Sequence, residues 1–199
     1  MKPFFFMQLA DPQFGMFARW GGVSDDVIDA QLFKGSKVRK SPPITGFADE
    51  SRLFTEAIAE ANRLKPAFVV VCGDMVNDPN SESERAEVLR VSGQLDPSIP
   101  IHWVPGNHDV GADTVSATPE SIRIYREAFG PDYFAFQHDG ASFLVLDSIT
   151  IDNPKPVPGE WDAQLAFVQR ELSEATARGG PIIAFSHHPA FLKTPNEPD

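Results

Sequence analysis

The segment Ala67-Phe68-Val69-Val70-Val71-Cys72 runs without a polar break into Gly73-Asp74, and it constrains the fold more than any other. An apolar run that does not alternate has no face to show to water, so it belongs in a strand covered on both sides. Such strands lie in parallel sheets joined by helices, and the flanking sequence supplies the helices. Leu53, Phe54, Ala57, Ile58, Ala61 and Leu64 recur at helical spacing between Asp49 and Lys65, and Pro66 stops that helix. A polar helix is expected over 81–93, a strand over 101–104 and a short helix over 119–129. A hairpin is expected over 133–147, turning at Asp139-Gly140. Trp161, Leu165, Val168, Leu172 and Ala175 mark another helical face, closed by Gly179-Gly180, before a last strand over 181–185. The first strand covers 3–10, and the aperiodic stretch from Asp11 to Phe47 reads as one long loop. Strands that alternate with helices define the α/β class: a largely parallel sheet with one antiparallel hairpin.

Length and charge exclude several functions. A chain of 199 residues is one domain. Its net charge of −11 disfavours a nucleic-acid partner, because phosphate backbones require a basic face. The basic cluster Lys34, Lys37, Arg39 and Lys40 is an exception, read either as a solvated loop or as a flap that attracts phosphate. Cys72 is the single cysteine, so no internal disulfide forms, and it reads as a small buried hydrophobe. No apolar stretch reaches membrane-span length, and the N-terminal run lacks a convincing cleavage site. The expected setting is the cytoplasm, without a membrane partner.

Chemistry is expected at the strand ends, since α/β sheets bind ligands beyond their carboxyl edges. Four expected strands end in polar clusters: Asp11-Pro12-Gln13, Gly73-Asp74-Met75-Val76-Asn77, Gly106-Asn107-His108-Asp109 and Ser186-His187-His188-Pro189. Four such clusters at corresponding ends point to one shared site. Their oxygen and nitrogen donors suit Mn, Fe, Zn or Mg. Two cations about 3.5–4 Å apart polarise a phosphoryl oxygen and activate a water between them. His102, within a strand, and His138, beside the hairpin turn, read as structural. Asp147 at a strand end is either support for the site or an ordinary turn residue.

The order Asp…Gly-Asp…Gly-Asn-His-Asp…His resembles the signature of the calcineurin-like metallophosphoesterases, from the first strand to His188. That resemblance implies a β-sandwich flanked by helices, a four-layer αββα fold. It implies two metal ions, with Asp11 on the first, Asp74 bridging both, and Asn107 and His187 on the second. His108 would be the acid beside the leaving oxygen, with Asp109 orienting its ring. His187 rather than His188 matches the ligand, because it lies two residues before Pro189; His188 is left between substrate contact and packing. Most of the family has Asp-x-His at the first motif, whereas Gln13 here offers only a neutral amide oxygen. The family's closing Gly-His-x-His has no counterpart after His188. The expectation is therefore a single domain over 1–199 truncated at its C-terminal side, with an exposed sheet edge and apolar patch. The implied activity is hydrolysis of phosphate esters by metal-hydroxide attack. Phosphomonoesters are favoured, phosphoserine and phosphothreonine in proteins among them. The alternatives are a cyclic-nucleotide or other phosphodiesterase, and a non-catalytic metal-binding or scaffold domain.

Overall fold

The computed structural model describes residues 2–35, 39–111, 116–191 and 193–194. The Val-rich run forms β2 (Val69–Cys72), the middle of a parallel sheet between β1 (Met7–Leu9) and β3 (Ile101–Val104). It is buried throughout, and its alternate residues enter two different cores. Val69 and Val71 face a core built with α3 (Ala48–Leu64), α4 (Glu82–Ser92) and α6 (Pro119–Phe129). Phe68, Val70 and Cys72 face the opposite core, against a second sheet.

That second sheet holds β4 (Phe134–His138), β5 (Ala141–Val145) and β6 (Ile182–Phe185). The hairpin β4–β5 is antiparallel and β6 joins β5 in parallel. The hairpin therefore starts a new sheet instead of extending the first. The two sheets are joined by aromatic rings, with Phe68, just ahead of β2, set edge-on to Phe143 at 5.0 Å and to Phe136 at 5.1 Å. His102 belongs to this packing: it stacks on Phe136 at 3.9 Å, and burial lowers its pKa to about 4, so the ring stays neutral. α8 (Pro158–Arg178) covers β5 and β6 from outside. Helices, sheet, sheet and helix make the four-layer αββα arrangement.

Other expectations shift at their edges. The first strand shortens to Met7–Leu9, although Phe4 and Phe6 still pack between the sheets. The stretch 11–47 is not one loop; it carries α1 (Met16–Trp20) and α2 (Asp25–Phe33). α1 has five residues and buries none, so it has no apolar periodicity to read. Lys40 pairs with Asp25 at 2.6 Å with both side chains well exposed, the solvated-loop reading, while Lys37 lies outside the described residues, as does 195–199. Two further short helices, α5 (Asn107–Val110) and α7 (Ser148–Asp152), begin directly at strand ends.

The helical faces are narrower than expected. In α3, Phe54, Ile58 and Ala61 are buried, while Leu53 and Leu64 are 47% and 40% exposed at the stripe's margins. In α8 the buried line is Gln164, Phe167 and Ala175, and Leu165 and Leu172 lie exposed. β6 is the edge of its sheet among the described residues.

Candidate metal centre

Beyond β1 the chain does not leave the sheet but follows the residues after β2. Asp11 N donates to Gly73 O (3.1 Å), Gln13 N to Asp74 O (2.9 Å), and Phe14 N to Met75 O (3.1 Å). Asp11, Gln13 and Asp74 all carry positive φ, at 54°, 36° and 54°. A non-glycine residue held there costs about 1–2 kcal/mol, and such strain concentrates at functional sites. The reward is convergence. Asp11, Asp74 and His187 each offer a ligand atom, and these atoms lie within 4.8 Å of one another.

Asn107 completes the group from β3 and α5. Its Oδ1 lies 3.1 Å from His187 Nε2, which is 3.5 Å from Asp74 Oδ1. On the other side of the ring, His187 Nδ1 is 3.0 Å from the Cys72 carbonyl. A carbonyl only accepts, so Nδ1 carries a hydrogen, and Nε2 is the ring atom turned toward the two oxygens. A cation placed among these atoms would be held by the oxygens and by an unprotonated Nε2 together. Carboxylate, amide and imidazole donors together fit a hard or borderline divalent ion.

Two glycines make the approach possible. A Cβ on Gly73 would overlap the His187 ring, and one on Gly106 would overlap the Asp74 backbone N and Oδ1. Both motif glycines are thus spaces for ligand side chains. Asp11 has its pKa raised, chiefly by burial, with His187 lowering it and Asp74 raising it.

His108 stands beside the cluster. Its backbone N donates to Asp74 Oδ1 (3.0 Å), and its Nδ1 meets the Asn77 carbonyl at 2.8 Å. Nδ1 is therefore the donor, and Nε2 is left for chemistry. The ring-orienting role expected of Asp109 thus belongs to Asn77. Asp109 is 2% exposed, and its carboxylate accepts from Met75 N (2.8 Å), Val76 N (3.2 Å) and Gly106 N (2.8 Å). It ties the loops after β2 and β3 together. Burial, then the Asp74 charge, push its pKa well up against those three donors.

A cleft of ≈ 810 Å³ opens here, with Gln13, Asp74, Asn77, His108, Arg19 and Trp20 in its lining. Gln13 thus shares the cleft with Asp74. His188 also reaches the centre, with Nε2 3.4 Å from Asn107 Oδ1, while its Nδ1 pairs with Asp152 and its backbone N donates to Ser148 Oγ (3.0 Å). Ser148 and Asp152 belong to α7, whose N-cap is Asp147, accepting from Ile149 N (2.9 Å) and Thr150 N (3.2 Å). Asp147 therefore supports the site through α7. Arg19, Trp20 and Asp152 gave no signal in the sequence, because they sit on helices of five residues.

A profile of calcineurin-like phosphoesterases matches residues 9–198, and the chain belongs to that family. Among curated proteins it is similar to serine/threonine-protein phosphatase CPPED1 of Homo sapiens, at 33% identity over 99% of this chain and 59% of that one. The Rattus norvegicus protein of the same name is 34% identical, over 99% of this chain and 60% of that one. The chain thus spans about three-fifths of these relatives' length, 59% and 60%. A solved dimetal phosphatase from Danio rerio shares the fold, with a TM-score of 0.56 and 16% identity over 96% of this chain and 71% of that one.

Proposed function

We propose that this chain is a metal-dependent phosphoesterase acting on phosphomonoesters, phosphoserine and phosphothreonine in proteins among them. The observation that carries the reading is the convergence of Asp11, Asp74, Asn107 and His187 beside a tethered His108. The names of the curated relatives support the substrate class. In this reading Asp11 and Gln13 would hold one divalent ion and Asn107 and His187 a second, with Asp74 shared between them. Such ions would supply charge for the phosphoryl oxygens and acidify water.

The remaining work falls to the chain's own groups. His108 keeps Nδ1–H on the Asn77 carbonyl, so a proton on Nε2 is the one delivered to the leaving oxygen. Arg19 has no ion pair among the described residues and lines the cleft, with its guanidinium 5.9 Å from the Trp20 ring centre. In an acidic cleft it is the group that grips phosphate oxygens. A cytoplasmic setting fits a chain whose one cysteine is buried and unpaired; no described helix is long and apolar enough to cross a membrane.

Hydrolysis of para-nitrophenyl phosphate and of its bis ester with added Mn tests the reading. Turnover of the monoester that His108→Ala abolishes supports it. Preference for the bis ester would turn the assignment to a phosphodiesterase. Metal binding with neither ester hydrolysed would leave a non-catalytic domain.

A further inference from the structure

His188 has no place in the ligand set, yet the fold holds it at three points. Its backbone N donates to Ser148 Oγ (3.0 Å), its carbonyl accepts from Ser186 Oγ (2.9 Å), and its ring Nδ1 meets the Asp152 carboxylate. Ser148 and Asp152 belong to α7, a helix of five residues. A helix that short does not hold its shape alone in water. Gln164 of α8 holds its start: it accepts from Asp147 N (2.9 Å) and donates to Asp147 O (3.1 Å) and Thr150 Oγ1 (2.9 Å). Asp147, Ser148, Thr150 and Gln164 are all buried. A buried, fully engaged network therefore fixes where α7 presents the two groups that grip His188.

The tether leaves ring Nε2, which lies 3.4 Å from Asn107 Oδ1. His187 Nε2 meets the same oxygen at 3.1 Å. Among the described residues the Asn107 side chain has no other hydrogen-bond partner, so these two rings set how its amide is turned. The choice matters, because an asparagine amide can turn over and exchange its ends, and only the oxygen has lone pairs to offer a cation. An oxygen accepts, so it is favoured where an N–H faces it. His187 cannot supply that hydrogen and remain a ligand, since a ligating nitrogen carries none. His188 can: with the Asp152 carboxylate as acceptor at Nδ1, it has an Nε2–H to give. The amide's nitrogen end in the same place would set N–H against N–H.

We infer that His188 is a positioning residue: held by Asp152 and α7, it turns the Asn107 amide oxygen toward the candidate metal centre and strengthens binding of the ion that Asn107 and His187 would share. This rests on the ligand set of the phosphoesterase reading and not on its reaction. Calorimetric titration of the metal-free full chain with Zn(II) measures that binding apart from catalysis. His188→Leu, which fills the space without a hydrogen bond, should weaken binding about 10–100-fold, the usual loss when the outer partner of a ligand is removed. His188→Gln, which keeps an N–H near the place of Nε2, should recover most of that loss. Asp152→Ala, which keeps the ring and frees it, should lose about tenfold. In an Asn107→Ala background, His188→Leu should change the remaining affinity by less than about twofold, because the amide it acts on is gone. Unchanged affinity in His188→Leu or Asp152→Ala, no recovery in His188→Gln, or an undiminished loss in the Asn107→Ala background would each overturn the inference. A chain that takes up no Zn overturns it as well. Zn binding with this coupling in a chain that hydrolyses no phosphoester would keep the positioning role and end the phosphoesterase reading. Hydrolysis without the coupling would do the reverse.

Discussion

Adding one methyl group at Gly73 should dismantle the candidate metal centre. Gly73 has φ +82°, and a Cβ there would run into the His187 ring, at Nδ1 and Cγ. Gly140 in the hairpin turn has nearly the same φ, +86°, but nothing lies within 4 Å of a Cβ built on it. Comparing alanine at the two positions separates backbone strain from displacement of the ring. Strain alone costs about 1–2 kcal/mol and applies to both. At Gly73 the collision adds about 1–3 kcal/mol of overpacking, and moving the ring breaks the 3.0 Å contact of Nδ1 with the Cys72 carbonyl, about 1 kcal/mol more. Gly73→Ala should therefore be about 2–4 kcal/mol less stable than Gly140→Ala in urea unfolding of the metal-free proteins. It should also lose metal, because His187 Nε2 leaves Asp74 and Asn107, whereas Gly140→Ala should keep the wild-type metal content by elemental analysis. Equal stability of the two variants, or full metal content in Gly73→Ala, would show that His187 is not seated over Gly73.

His108→Ala should keep near-normal metal content and lose about 10²–10⁴-fold in turnover, while Asp74→Asn should lose metal and turnover together; equal metal loss in both would contradict the roles. Arg19→Ala should raise KM for a phosphomonoester with kcat little changed, read from steady-state kinetics; a pure kcat loss would exclude a role in binding. Asp147 is fully buried, and burial raises its pKa to about 7. A raised carboxyl pKa means the fold favours the neutral acid, so its contribution is complete below about pH 4 and is lost as pH rises through about 7. The stability of the wild type minus that of Asp147→Asn, from urea unfolding at several pH values, should therefore fall by a few kcal/mol across that window. A flat difference would refute the assignment.

Much of this was legible in the sequence where a short-range pattern has one physical solution. An unbroken apolar run ending in Gly73-Asp74 fits a covered strand, and Asp139-Gly140 between apolar segments signals a hairpin; both form. The four polar clusters follow from the same logic, because strand ends of one sheet face one crevice, and Asp11, Asp74, Asn107 and His187 do meet there. What the tertiary structure decided depends on contacts far apart in the chain. The hairpin's partner is β6, tens of residues later, so a second sheet could not be read from the turn. The partner of His108 is the Asn77 carbonyl, since Asp109 is consumed by three backbone amides, two from the end of β2 and one from the end of β3. Leu53 and Leu165 fall on apolar stripes but lie exposed, because periodicity says which residues share a face and not how wide the opposing surface is. Glu50 looks like an ordinary acidic residue in a helix's first turn, and only the folding of α1 against α3 buries it and gives it the Phe17 N–H to accept. Local pattern sets an element and its face, because both depend on a few neighbouring residues. The partner each polar atom finds depends on the packing of the whole chain.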